Sequence, residues 1–411
     1  MTPSPKRWWI IALIAIVTVI NYVDRTSLAV MWPAISQDVA LTKENYATIV
    51  SAFMIFYGIG QAVSGRIFDQ VGTRVGFTLS VAVWSIACIG HGFIRGLSGL
   101  LAMRGLLGFS EAGNWPGATK AVAEWFPKHE RALAQGIFNA GASLGAVVSA
   151  PLIAVLFALF GWRATFVVVG ALGFIWIIPW WLGARVQTAA EARPSSAPTA
   201  DEGAALTWRQ ILGYRQAWGV FTARFFLDPI WWLFVNWLPI LLAERFGFDV
   251  KSIGLFAWVP YLGAVIGSLG GGWVSGHWIR AGWSVDRARK RAILIGAGLA
   301  LPGFAVAAWA ATPVVAVLAM ALVLCGFQVM INNIQTLPSD FFSGKSVGSA
   351  SGIGGMSAVL GVLVFSTWLV PYLSKISYVP VFILGASLVP CGLLAVFLLC
   401  REIKPVHPPQ K

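Results

Sequence analysis

Gly65-Arg66-Ile67-Phe68-Asp69-Gln70-Val71-Gly72-Thr73-Arg74 is a short, charged, glycine-bounded stretch between two apolar runs, 45–65 and 74–94. It has room for one tight turn, so the runs read as two successive helices. Glycines at such a turn let backbones approach closely. Its carboxylate and arginines are placed to hold neighbouring helix ends by charge pairs and helix dipoles. Outward from this turn the same pattern recurs along the chain. Apolar runs cover 8–31, 97–119, 132–156 and 162–183, then 216–243, 251–279, 291–311, 313–336, 346–370 and 377–400. With the first two, that makes twelve segments, each near the ~20 residues that cross a bilayer.

Composition explains why these runs face lipid. The 411 residues are 58% hydrophobic and only 11% charged, against roughly 25% charged in soluble domains. A net charge of +13 invites a nucleic-acid reading, but the basic residues sit in short loops and form no solvated stripe. Cys88, Cys325, Cys391 and Cys400 lie in apolar segments without paired spacing, and His91, His129, His277 and His407 are scattered. Neither a metal nor a cofactor follows. Lys6 and Arg7 precede an apolar run that continues past Ile20 without a small-residue cleavage site, so this segment reads as a retained first helix.

The longest polar interruption, Ala184 to Arg215, contains AAEARPSSAPTADEGAAL, a composition that builds no core. It predicts an N-terminal six-helix half over 1–183, a cytoplasmic linker over 184–215 and a C-terminal six-helix half over 216–411. With an even number of spans both termini share a side. That side collects 20 of the 29 lysines and arginines, the other side 6, and three lie inside spans. The bias places both termini in the cytoplasm.

The opening stretch resembles the G-x-x-x-D-x-x-G-x-R signature of the major facilitator superfamily, with Gly65, Asp69, Gly72 and Arg74 at its fixed positions. A degenerate second copy runs from Gly271-Gly272-Trp273 to Arg287-Ala288-Arg289-Lys290 and lacks the aspartate at the matching place. Asn21-Tyr22-Val23-Asp24-Arg25, Glu111-Ala112-Gly113-Asn114-Trp115-Pro116 and Glu124-Trp125-Phe126-Pro127 with Glu130-Arg131 are similar to the anion:cation symporter branch. Asp228-Pro229-Ile230-Trp231-Trp232, Trp237-Leu238-Pro239 and Gly282-Trp283-Ser284 resemble its bacterial hexuronate transporters. Span 10, with Gln328, Asn332 and Asn333, then Gln335 to Asp340, departs from that pattern. The resemblance implies an all-α membrane protein, twelve transmembrane helices in two pseudo-symmetric six-helix halves, in a bacterial inner membrane. It implies proton-coupled symport of a sugar-acid anion by alternating access, with lipid and protons as partners, no nucleic acid, and a monomer as the working unit.

Six ionisable residues fall inside spans: Asp24, Arg25, Arg104, Glu111, Arg224 and Asp228. Each costs at least ~2.5–3.5 kcal/mol at mid-bilayer and so needs a reason. At ~1.5 Å per residue, Arg104 lies about 10 Å and Glu111 about 20 Å from the outer face. Arg25 and Arg104 offer planar forks for a substrate carboxylate. Glu111 and Asp24 are the proton-coupling candidates. The competing reading pairs Arg104 with Glu111, seven apart on one helix face, and Asp24 with Arg25, as struts. Arg224 and Asp228, at i, i+4, are expected to pair with each other, and Pro229 loosens that helix. For the hydroxyls of a sugar acid the candidates are Tyr22, Tyr57, Gln61, Asn114, Asn139, Asn236, Gln328, Asn332 and Asn333. Each of these serves equally well as interhelical glue. Trp115, Trp231 and Trp232 offer flat faces to a sugar ring.

Two rivals remain at this point. A drug exporter is suggested by Gly141 and Gly145 before Pro151, but would leave buried arginines without an anion. A membrane enzyme or sensor lacks any HExxH, paired-cysteine, GxSxG or phosphate-loop motif. An aldonate or other organic anion is the alternative substrate.

Overall fold

The computed structural model describes residues 6–184, 205–248, 256–342 and 344–406. Most of the predicted linker, with Arg185 and Arg193, lies outside the described residues, as do Lys251, His407 and Lys411.

Twelve long helical spans occur among the described residues. The first is α1 (Lys6–Asp38). The helix Lys43–His91 is broken by non-helical Gly72 into α2 (43–71) and α3 (73–91). A one-turn interruption divides α4 into Leu97–Glu111 and Asn114–Trp125. Lys128–Gly183 is broken at Gly161 into α5 (128–160) and α6 (162–183). The short helix Trp208–Leu212 precedes α7 (Arg215–Phe246), α8 (Val259–Arg280), α9 (Val285–Trp309) and α10 (Pro313–Phe341). Helix α11 runs from Val347–Gly361 through a π-helical stretch to Val370–Ser374, and α12 from Tyr378–Ala395 into π-helical Val396–Cys400.

Local chemistry sets these boundaries. Thr42 caps α2 with Asn45 in a reciprocal capping box, and Ser284 and Thr312 cap α9 and α10. Gly72 (φ 79°, ψ 168°) and Gly161 (φ 73°, ψ 171°) share one backbone conformation, which side chains with a Cβ rarely adopt. Both turns reverse the chain without a loop. The outer surface is apolar, with Leu159, Ile178 and Trp368 all more than 60% exposed. Polar groups such as Asn21, Asp24 and Glu111 are fully buried. A soluble protein distributes them the other way.

The chain forms two compact units, each drawing on both halves of the sequence. Unit 1 comprises residues 1–125, 144–202 and 344–356; unit 2 comprises 126–143, 203–343 and 357–411. In unit 1 the signature turn closes on the start of α11. Asp69 accepts the N–H groups of Gly348 at 3.0 Å and Ser349 at 2.6 Å, and pairs with Lys120 at 3.2 Å. Exposed backbone donors at a helix start favour such an anion. Gly65 lies so close that a Cβ there would stand 2.2 Å from the Gly348 carbonyl oxygen. Arg74 stacks on Trp181 and donates to its carbonyl, and Thr73 donates to Glu124 at 2.7 Å.

In unit 2 the missing aspartate is supplied from elsewhere. Ser275 stands where the second signature copy calls for a carboxylate, four residues after Gly271. Asp340, at the end of α10, takes the role, pairing with Arg289 at 3.1 Å and Arg131 at 3.7 Å. Arg289 also donates to Ser275 Oγ at 2.9 Å and to the Lys128 carbonyl at 3.0 Å. A fully buried guanidinium is thereby matched with acceptors from three places in the unit.

Candidate functional site

Helices α1, α2 and α4 carry the buried charges of unit 1. Arg25 crosses from α1 to α4, where its Nε and one terminal nitrogen donate to Oε2 of Glu111 at 3.3 and 3.1 Å. The same terminal nitrogen donates to Asn21 Oδ1, one helical turn earlier, at 3.2 Å. Four rings surround the guanidinium carbon: Tyr57 at 4.8 Å, Phe53 at 5.2 Å, Tyr22 at 5.4 Å and Trp115 at 5.9 Å. Aromatic faces stabilise a desolvated cation while leaving its edge available for hydrogen bonding.

The strut pairs expected from spacing do not form. Arg104 donates to the backbone carbonyl of Arg25 at 2.9 Å and lies over Phe53, and its charge meets no carboxylate within ion-pair distance among the described residues. Glu111 is instead engaged by Arg25. The seven-residue spacing does put Arg104 and Glu111 on one face, but α4 is interrupted just past Glu111 and that face meets α1, where Arg25 lies nearer. Asp24 turns away from Arg25 and accepts from the Cys88 thiol of α3 at 3.2 Å. Nε and NH1 of Arg104, Oε1 of Glu111 and Oδ2 of Asp24 are buried and have no hydrogen-bond partner among the described residues. Unit 1 thus holds polar capacity that its own side chains leave unused.

The neutral candidates divide. Tyr22 and Tyr57 are buried beside Arg25. Asn114 donates to Thr18 Oγ1 of α1 at 3.0 Å. Gln61 is buried against α11, where a Cβ on Gly355 would meet its Oε1 at 2.3 Å. In unit 2, Asn139 of α5 donates to Asn332 Oδ1 at 2.5 Å and Gln335 Oε1 at 2.8 Å, both on α10. Gln135 also donates to Gln335 at 3.0 Å, and Asn332 to the Ser268 carbonyl of α8 at 2.9 Å. This network largely satisfies itself. Asn333 donates within its own helix to Val329, and Gln328 is buried with Oε1 unpartnered. Asn236 is exposed on α7 and makes no hydrogen bond to either group among the described residues. Arg224 and Asp228 pair at 2.9 Å, as their spacing requires. Trp231 packs against Tyr261 and Phe327.

Asn21, Phe53, Thr18, Cys88, Gln135 and Gln335 were not among the site candidates that the sequence offered. Two of them carried a signal, since Asn21 precedes Arg25, and Gln135 precedes Asn139, by one helical turn.

Comparison with known proteins follows the same lines. The model of the Major Facilitator Superfamily matches residues 14–366. The hexuronate transporter of Escherichia coli (strain K12) is 30% identical over 392 residues, covering 92% of this chain and 90% of the relative. The galacturonate transporter of Dickeya chrysanthemi is 33% identical over 279 residues, 65% of this chain and 81% of the relative. Among solved structures, a proton:xylose symporter superposes with a TM-score of 0.76 at 16% identity, covering 96% of each chain. The human organic anion transporter MFSD10 gives 0.74 at 15%, covering 96% of this chain and all of that one. At such identities these last two speak to the fold.

Proposed function

The chain belongs to the Major Facilitator Superfamily and is a multi-pass membrane transporter; from that premise we propose that it imports a hexuronate-like sugar acid with protons. The single observation that carries the reading is the Arg25–Glu111 pair beside Arg104, whose Nε and NH1 are buried without partners. A small anion with a carboxylate suits these unmet donors, and a drug-like apolar cargo would leave them unmet at a cost. The names of the relatives, hexuronate and galacturonate transporters, support the substrate class.

The coupling follows from shared use of one guanidinium. While Glu111 is ionised it occupies Arg25. A proton on Glu111 weakens that contact and releases the fork for the substrate carboxylate, so proton and substrate bind cooperatively. Arg104 gives the second contact, and Tyr22 and Tyr57 stand beside the fork for hydroxyls. Asp24 is the alternative proton site. Alternating access moves the halves 1–183 and 216–411 in a bacterial inner membrane, with both termini cytoplasmic.

Proteoliposomes holding the purified chain test this. Radiolabelled glucuronate should accumulate when an inward proton gradient is imposed and should stop when it is collapsed. Accumulation that persists without the gradient refutes proton coupling. A second reading, aldonate transport, is favoured by a D-galactonate transporter that is 30% identical over 313 residues. Competition by galactonate stronger than by glucuronate decides for it.

A further inference from the structure

The stretch Trp278 to Arg291, part of the second signature copy, has no task in the transport reading. On α8 the exposed residues Ile266, Leu269, Trp273, His277 and Arg280 follow one another at three- and four-residue spacing. On α9 the exposed face carries Arg287, Arg291, Leu294, Ile295 and Leu301. Both are outward faces of a membrane protein, apolar for most of their length and basic at the end where the two helices join. In a bilayer that end lies among the headgroups.

The turn itself is preorganised. Gly282 (φ +91°) takes a conformation open to glycine. Its N–H donates to Ile279, and that of Trp283 to Trp278, at 3.1 and 3.0 Å. The reversal lays the Trp283 indole on Trp278, with centroids 5.2 Å apart and planes 15° from parallel. Arg287 stacks on Trp283 at 4.3 Å, and Arg291 faces both rings at 5.1 and 5.5 Å. The nearest acid, Asp286, is taken by Lys290 at 2.6 Å and the Ile403 N–H at 2.9 Å. The guanidinium groups of Arg280, Arg287 and Arg291 have no ion pair among the described residues. Stacking occupies the faces of the forks and leaves the N–H edges free, the geometry that binds phosphate oxygens.

We infer that the α8–α9 turn is a binding site for the phosphate headgroup of an anionic phospholipid, held by Arg287 and Arg291 on the Trp278–Trp283 stack. Lipid is the source because the basic end continues two lipid-facing stripes.

The test uses the full chain, delipidated in detergent, with native mass spectrometry reading bound phosphatidylglycerol. Phosphatidylcholine and inorganic phosphate are run beside it. Phosphatidylglycerol should be retained in preference to phosphatidylcholine, and millimolar phosphate should not displace it. Arg287→Gln with Arg291→Gln should weaken retention about 30-fold, at about one kcal/mol per arginine. Arg401→Gln with Lys404→Gln, at the C-terminus, should not. Equal loss from that control pair shows mere net charge and overturns the site. Displacement by inorganic phosphate overturns the lipid assignment. Should the glutamine pair fail to fold, Arg287→Lys with Arg291→Lys keeps the charge and removes the stacked forks. Retention by the lysine pair equal to the wild type then overturns the proposal.

Discussion

Glu111→Gln separates transport from coupling. The glutamine is nearly isosteric and keeps an acceptor facing Arg25, whose two bonds now run to Glu111 Oε2 at 3.1 and 3.3 Å. The change takes one of the two charges out of the contact and leaves hydrogen bonds with a single ionised partner, Arg25, still charge-assisted and worth about 1.5–3 kcal/mol. The cost stays below the ~3–5 kcal/mol of removing one partner of a buried pair outright, because the amide oxygen keeps the bonds. The protein should fold and insert. Arg25 remains bound to Asn21 and framed by its four rings, and stays available to a substrate carboxylate. Two readouts follow. Gradient-driven uptake in proteoliposomes should vanish, because no proton is carried at that position, while counterflow between preloaded sides survives. Substrate affinity in the wild type should fall as pH rises, by at most tenfold per pH unit for one linked proton. The mutant should bind equally well across that range, at the acid-limit affinity of the wild type. A mutant that still accumulates substrate, or whose affinity keeps the wild-type pH slope, refutes the assignment and moves it to Asp24.

Arg25→Lys retains charge but not the fork, and should weaken substrate binding about 10- to 100-fold with normal insertion; near-normal affinity in equilibrium binding speaks against a bidentate contact. Asp340→Ala strands Arg289, which is 0% exposed, and should cost about 3–5 kcal/mol in detergent unfolding. Adding Ser275→Asp, in place of a serine whose hydroxyl is already 2.9 Å from Arg289, should return part of that loss, and an Asp340→Ala protein as stable as wild type removes the latch. Gly72→Ala should cost about 1–3 kcal/mol purely from backbone strain, since nothing lies within 4 Å of the added Cβ. An unchanged unfolding midpoint shows that the turn tolerates a side chain.

The sequence reached the fold through features that need no knowledge of packing. The Gly65–Arg74 turn and the lengths of the apolar runs each follow from one segment at a time. The site was harder, since pairing across helices depends on which faces meet. Spacing along α4 put Arg104 with Glu111, yet the carboxylate went to Arg25 of α1. Asp340 looked like a departure in span 10, and its use became plain only beside Arg289 and Arg131. Asn236 was selected for its polarity alone, which carries no direction, and it bonds to neither polar group among the described residues.

The Cys88 thiol bears on any labelling study of this transporter. A cysteine-free background is the usual starting point for attaching probes at chosen positions, and four cysteines must be replaced to obtain it. Cys325 and Cys391 are only partly buried. Cys88 donates to the fully buried Asp24, so alanine there leaves a carboxylate oxygen without its donor, whereas serine retains a hydroxyl in its place. Background proteins built with alanine and with serine at position 88 are therefore different transporters, and only the second is a fair reference for measurements on the first helix.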